Sequence, residues 1–306
     1  MDSNSFWFGF EPIFMHWLQS HMGTAGKFAA VFFTYLSEPI FVIALMCLLY
    51  WCIGKEKGKK IGEILMLATV FNTMIKNLFI RKRPYMVHDN VECLRAPEPD
   101  EPIMDIAAQS YSFPSGHSTN AAVMFSSFRM LRKIRVLTVL AVVAPLLVAL
   151  SRVALGVHYP TDVICGLAIG YITIAVIPFL DSKIRNKRVL HIVMFMISCT
   201  GFFFCRTEDY FTCIGSLAGL YAGFEIEERF VKFENTRKPL WMFLRLVVGI
   251  ALYGVLGVVL KMPFDKSFLE SRTMAAFAVR SARYFVIVFL LIGIYPMAFR
   301  LEEKKR

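Results

Sequence analysis

Apolar runs of membrane-spanning length recur along the whole chain, and they dictate what it can fold into. A helix of about 20 apolar residues crosses the hydrocarbon core of a bilayer, and LTVLAVVAPLLVAL and VICGLAIGYITIAVIPFL form the centres of two such runs. The 306 residues are 57% hydrophobic and 19% charged, too little polar material to cover a soluble surface. The spacing predicts an all-α polytopic membrane bundle of about nine transmembrane helices. They fall roughly at 28–53, 61–80, 116–131, 136–156, 161–180, 189–206, 210–230, 241–260 and 274–299. Arg280 and Arg283 interrupt the last, and the third is short for a spanning helix.

Basic residues cluster between these runs. Lys55, Lys57, Lys59 and Lys60 follow the first, Arg129, Arg132, Lys133 and Arg135 the third, and Lys183, Arg185, Lys187 and Arg188 the fifth. Arg229, Lys232, Arg237 and Lys238 follow the seventh, and Arg300, Lys304, Lys305 and Arg306 end the chain. In a nine-span arrangement all of these fall on one side, which the positive-inside rule makes cytoplasmic. The N-terminus is then outside, the C-terminus cytoplasmic, and the protein a multi-pass one, of the cytoplasmic membrane if the source is bacterial. The net charge of +11 is thus a topology signal, and nucleic acid is excluded as a partner.

The first 24 residues lack the features of a signal peptide. Phe6, Trp7, Phe10, Phe14 and Trp17 instead predict an interfacial segment over 1–24. A catalytic membrane core is expected over 25–206 and additional C-terminal helices over 207–306. Seven scattered cysteines, with no C-x-x-C pair, point to neither zinc nor disulfides.

Ionisable residues gather on the opposite, outer face. The second helix ends KNLFIRKRPY, with Lys76 and Arg83 about two turns apart on nearly the same helical face, while Pro84 pushes Arg83 out of the helical region and ends the helix there. Arg81, Lys82 and Arg83 form either a solvated cap or an anion site. The third helix opens SFPSGHS, where Ser115 and Gly116 begin a helix whose free N–H groups suit an anion, and His117 sits in its first turn. Between helices four and five, SRVALGVHYPTD carries Arg152, His158 and Asp162. Asp162 can reach back to one nitrogen of His158 and leave the other as a nucleophile or base. Three permanent cations and N–H donors match a phosphoryl group, and two histidines can divide attack from leaving-group protonation.

These three segments resemble the signature motifs of the type 2 phosphatidic acid phosphatase superfamily. Six residues separate Lys76 from Arg83-Pro84, five separate Arg152 from His158, and three separate His158 from Asp162. The resemblance covers residues 25 to 182 and leaves the last three helices unexplained. It implies a six-helix catalytic core in which His158 attacks phosphorus to give a phosphohistidine, oriented by Asp162. It implies that His117 protonates the leaving oxygen and then activates water. Lys76, Arg83, Arg152, Ser115 and the Gly116 amide would hold the phosphate, with no metal or other cofactor.

A membrane-embedded site favours a lipid phosphate or isoprenoid diphosphate arriving from the surrounding membrane lipids. The alternative is a soluble ester: the nine-helix layout and FIRKRPY are similar to glucose-6-phosphatases, although that subgroup generally lacks the aspartate found here as Asp162. A sugar would need polar residues for its hydroxyls, and Asp89, His88, Gln109 and Asn120 are the few candidates. An anion transporter is a third reading, with no use for a paired His and Asp. Among other intramembrane charges, Glu38 either lines the pocket or pairs at the kink of Pro39. Arg280 and Arg283 either snorkel or recruit a headgroup, and Glu225, Glu227, Glu228 and Arg245 are expected to pair with one another.

Overall fold

In the computed structural model, residues 4–299 are described; the basic tail Arg300, Lys304, Lys305 and Arg306 lies outside them. The described residues are helical apart from turns, loops and one isolated bridge. In chain order the helices are α1 (Phe10–His21), α2 (Gly23–Tyr35), α3 (Pro39–Leu48, extended by a π-helical turn over Leu49–Ile53) and α4 (Lys55–Phe79). A short α5 (Ile106–Gln109) precedes α6 (Gly116–Leu131), α7 (Arg135–Ala154), α8 (Pro160–Lys183) and α9 (Lys187–Cys199). Then come α10 (Glu208–Ile226), α11 (Pro239–Val259), a short α12 (Lys266–Glu270) and α13 (Met274–Phe289).

Each expected hydrophobic run coincides with helix. Four stretches, α7, α8, α11 and Met274–Phe299, are long and apolar enough to cross a membrane by themselves. A fifth follows if α2 and Pro39–Ile53, bent by 45° at their junction, make one span. This is a multi-pass membrane protein. Helices suit that role because every internal backbone N–H finds its carbonyl within the segment. The bend falls where Pro39 removes a backbone donor and biases Glu38 away from helical geometry.

The chain forms two compact units, Met1–Val42 with Phe71–Phe179 and Ile43–Val70 with Leu180–Arg306. In the first, Met15, Val91, Ala149, Val153, Tyr159 and Val163 form one apolar core, so α1 and the loop after α4 pack on α7 and α8. Lipid offers no hydrophobic drive between helices, so close contact depends on small residues. Gly166 and Gly170 supply it on α8: a Cβ at Gly166 would overlap the Ser115 carbonyl, and one at Gly170 would lie 2.6 Å from Ala122 Cβ. The start of α6 is thereby held against the first turns of α8.

The second unit uses the same device. Gly215, Gly219 and Gly223, one turn apart on α10, face Ser281, Phe285 and Ile292; a Cβ would overlap the Ser281 and Phe285 carbonyls at the first two and lie 3.0 Å from Ile292 Cβ at the third. The acidic residues expected to pair with Arg245 find the basic clusters instead. Glu227 is 3.0 Å from Lys55 and 2.7 Å from Lys59, and Glu225 is 2.9 Å from Arg188. Arg245 donates to the Trp51 and Glu234 carbonyls. Arg280 pairs with Glu208, and Arg283 is buried, with Nη2 near the Gly257 carbonyl at the end of α11; neither is a simple snorkelling cation.

Candidate active site

Asp162 occupies the first turn of α8 and is fully buried. Its Oδ1 accepts from Arg81 Nη1 at 2.6 Å; its Oδ2 accepts from the Tyr159 N–H at 2.8 Å and from the Ser112 hydroxyl. Arg81, also fully buried, donates through Nη2 to Glu11 at 2.7 Å and through Nη1 to Thr161 Oγ1 at 2.8 Å. Its guanidinium lies 3.8 Å over the Tyr159 ring. Buried charges persist only where partners offset their desolvation, and here two carboxylates flank one guanidinium. Glu11 also accepts from the Thr161 N–H at 3.0 Å and hydroxyl at 2.6 Å, placing a carboxylate at the N-terminus of α8. Burial pushes the Glu11 carboxyl up, but Thr161, the Phe8 N–H and Arg81 together hold it below its ordinary value. Arg81 is therefore neither a solvated cap nor open to an anion.

The segment that carries these cations is not helical to its end. α4 stops at Phe79, Ile80 takes φ 44°, and Arg83 is extended with φ −73° and ψ 152° before Pro84. Arg83 thus leaves the helical region, as Pro84 predicts, but the helix already ends at Phe79, so Lys76 and Arg83 share no helical face and tertiary contacts orient Arg83. It donates through Nη2 to the Gln109 carbonyl at 2.7 Å and through Nη1 to the Val157 carbonyl at 3.0 Å. Gln109 is itself fully buried, its amide donating to the Glu98 carbonyl at 2.8 Å. Arg83 therefore clamps the loop at Gln109 to the turn that holds His158.

His158 is buried in that turn. Its Nε2 lies 3.4 Å from Arg83 Nη1, and its Nδ1 lies 3.4 Å from Asp162 Oδ2. A guanidinium only donates, so Nε2 facing it carries the lone pair and the ring proton falls on Nδ1, toward Asp162. Burial first, and then Arg83, Arg152 and Lys76, push the His158 imidazole well below its ordinary pKa, which favours the neutral ring. Those three cations and His117 all act on His158, which brings together the residues of all three motifs. Arg152 is buried, and its Nε has no hydrogen-bond partner among the described residues. Lys76 is buried in the last turn of α4.

Ser115 is the N-cap of α6: its hydroxyl accepts from Ser118 N–H and Oγ, and its own N–H donates to the Asp162 carbonyl at 3.0 Å. A Cβ on Gly116 would come no nearer than 3.8 Å to Asn72 Oδ1, so nothing crowds the first turn there. His117 follows, with Nε2 3.8 Å from Glu38 Oε1, and the same oxygen is 3.0 Å from Arg95 Nη2. Among the described residues no group of three or more His, Cys, Asp or Glu is placed to hold a metal ion. Glu11 and Ser112 carried no signal in the sequence beyond their residue type, and Arg81, open there between a solvated cap and an anion site, proves to be the counter-ion of Asp162.

Residues 58–186 match the PAP2 superfamily, and residues 211–306 match the transmembrane extension of PAP2 superfamily phosphatases. Over 157 residues the chain is 30% identical to undecaprenyl-diphosphatase of Bacillus subtilis, covering 50% of this chain and 74% of that protein. The chain belongs to the PAP2 superfamily. This PAP2 protein is also 36% identical over 88 residues to phosphatidylglycerophosphatase B of Bacillus subtilis and 35% identical over 115 residues to lipid A 1-phosphatase of Rhizobium johnstonii. Those matches cover 26% and 36% of the chain, and each covers 43% of the relative's own length. No solved structure matches the chain. The transmembrane extension accounts for the C-terminal helices that the three motifs left unexplained.

Proposed function

We propose that this PAP2 protein is a membrane-embedded phosphoric monoester hydrolase acting on a lipid phosphate or isoprenoid diphosphate through a phosphohistidine. The observation that carries the proposal is a buried neutral imidazole whose Nε2 faces a guanidinium and whose Nδ1 faces a carboxylate. Nε2 attacks phosphorus and the bond to the leaving oxygen breaks. His117 supplies the proton that this oxygen takes up. His117 then takes a proton from water as the water attacks the phosphohistidine, which releases inorganic phosphate and restores His158. Lys76, Arg83, Arg152 and the α6 N-terminus hold the charge that spreads over the equatorial oxygens. The basic clusters between the apolar runs support, through the positive-inside rule, an extracytoplasmic site with the N-terminus outside and the C-terminus cytoplasmic.

A lipid substrate is favoured over a sugar phosphate for two reasons. The matched relatives named above are called phosphatases of lipid A, phosphatidylglycerophosphate and an undecaprenyl diphosphate. Gln109, a candidate for receiving sugar hydroxyls, is committed to the outer loop through Glu98. Phosphate release is measured in mixed micelles containing excess EDTA, with a long-chain lipid phosphate, a polyprenyl diphosphate and glucose 6-phosphate in parallel. The better lipid is expected to show at least about tenfold higher kcat/KM than the sugar, roughly 1.4 kcal/mol in transition-state binding. Equal or better use of the sugar phosphate would move the protein to the soluble-ester reading.

A further inference from the structure

Glu38 stands at the break between α2 and α3, and its carboxylate has two neighbours of opposite kind. Oε1 is 3.0 Å from Arg95 Nη2 and 3.8 Å from His117 Nε2. Arg95 is itself held, its guanidinium lying 4.1 Å over the ring of Tyr35 in the last turn of α2. The helix break, the outer loop and the start of α6 therefore meet around one carboxylate. His117 Nε2 is buried and has no hydrogen-bond partner among the described residues, and Glu38 is the acidic group it faces. Side-chain exposures of 22% for His117 and 24% for Glu38 leave the pair partly open. An acidic side chain within a spanning segment is costly to insert, which makes function the default explanation for keeping it.

We infer that Glu38 is a positioning residue for His117, held in place by Arg95, so that Nε2 is turned to the carboxylate and Nδ1 is the nitrogen presented to the leaving group. This inference rests on the phosphatase reading and assigns the second histidine its orienting partner. In the protonated ring, Glu38 accepts from Nε2–H while the Nδ1 proton passes to the leaving oxygen. In the second step Nδ1 recovers a proton from the attacking water, and Nε2–H is never released. The 3.8 Å separation is an ion-pair distance that closes to a hydrogen bond when the ring is charged, since catalytic contacts tighten as the reaction proceeds. The arrangement repeats for His117 what Asp162 does for His158, with the carboxylate delivered by a different helix. Arg95 is then no surface ion pair: it fixes the carboxylate rotamer and limits the negative charge that Glu38 brings.

The test separates positioning of an acid from mere neutralisation of Arg95. An acid matters for an alkoxide leaving group and hardly at all for p-nitrophenolate, which departs without a proton. Purified full-length protein and its Glu38→Gln and Glu38→Asp variants are assayed for kcat/KM with a long-chain alkyl phosphate and with p-nitrophenyl phosphate. Glu38→Gln is expected to lose about 30-fold or more on the alkyl phosphate and less than about threefold on the nitrophenyl ester. Glu38→Asp keeps the charge and should recover part of the loss. Adding Glu38→Gln to His117→Ala should cost nothing further on the alkyl phosphate, because the two residues act as one unit. Equal losses on both substrates, or no loss, would overturn the assignment. If Glu38→Gln does not fold, Glu38→Asp carries the same comparison: a loss confined to the alkyl phosphate supports positioning, and a uniform loss or none overturns it. Wild-type protein that releases phosphate from neither ester would instead refute the phosphatase reading.

Discussion

Arg81 Nη1 lies 2.6 Å from Asp162 Oδ1, with both side chains fully buried, so the carboxylate that faces His158 is already bound to a cation. Glu11 completes the cluster from α1 at 2.7 Å. Asp162 is thus an oriented, compensated anion, set by a residue of the first motif segment that is not one of the expected phosphate-binding positions.

Removing that cation leaves two buried carboxylates facing each other. Arg81→Met is expected to destabilise the protein by about 3–5 kcal/mol, the range found when one partner of a buried pair is deleted. Thermal or denaturant melts in detergent measure it, and a wild-type melting curve for this variant would contradict the cluster's role.

His158→Ala should abolish turnover and covalent labelling by 32P substrate, with helix content and detergent elution unchanged. His117→Ala should still accumulate labelled enzyme from p-nitrophenyl phosphate, since attack survives while hydrolysis of the phosphohistidine slows. Normal turnover by His158→Ala would sink the mechanism.

The fold holds the His158 imidazole well below its ordinary pKa, chiefly by burial and then by Arg83, Arg152 and Lys76. The sign follows from proton linkage: the unfolded chain binds this proton more readily. The contribution to stability is full above about pH 6.5, the unfolded value, and is lost as pH falls from there toward the folded pKa. His158 should therefore remain neutral through pH 6.5. Ring 13C and 15N shifts of histidine-labelled protein, assigned by difference against His158→Ala, would show it; a midpoint near 6.5 would refute the prediction.

Gly156 sits two residues before His158 with φ 78°, and a Cβ there would overlap the Glu92 carbonyl. Gly156→Ala should cost about 1–3 kcal/mol for the left-handed backbone, and more where the Glu92 carbonyl cannot move. Because that shift also moves the turn carrying His158, kcat should fall along with the melting temperature. An unchanged kcat would show that the turn absorbs the added methyl group.

Helix positions and the candidate residues that the fold gathers around His158 were legible because both are written locally. Apolar runs gave helices in the right places, Pro160 and Ser115 marked helix starts, and the intervals around His158 and Asp162 identified the residues that the fold collects. The path of the chain after α4 was not legible, since the left-handed turn at Ile80 and the pairing of Asn4 with the strand-like Arg81 depend on distant segments.

The sequence by itself determined the membrane class and the family, and its motifs named His117, His158, Asp162 and the cations as candidates. Only the tertiary structure decided which charge faces which. RKR offers three adjacent cations of the same type, yet Arg81 is fully buried against Glu11 and Asp162 and Arg83 grips the Gln109 and Val157 carbonyls. In the sequence Glu38 was open between lining the pocket and pairing at the kink, and only the fold sets Arg95 and His117 beside it. Spacing along a helix records neighbours three or four residues apart, whereas Arg81 and Asp162 are 81 residues apart. Buried charges must each find a counter-charge because desolvation is costly, and which one they find depends on how the helices pack.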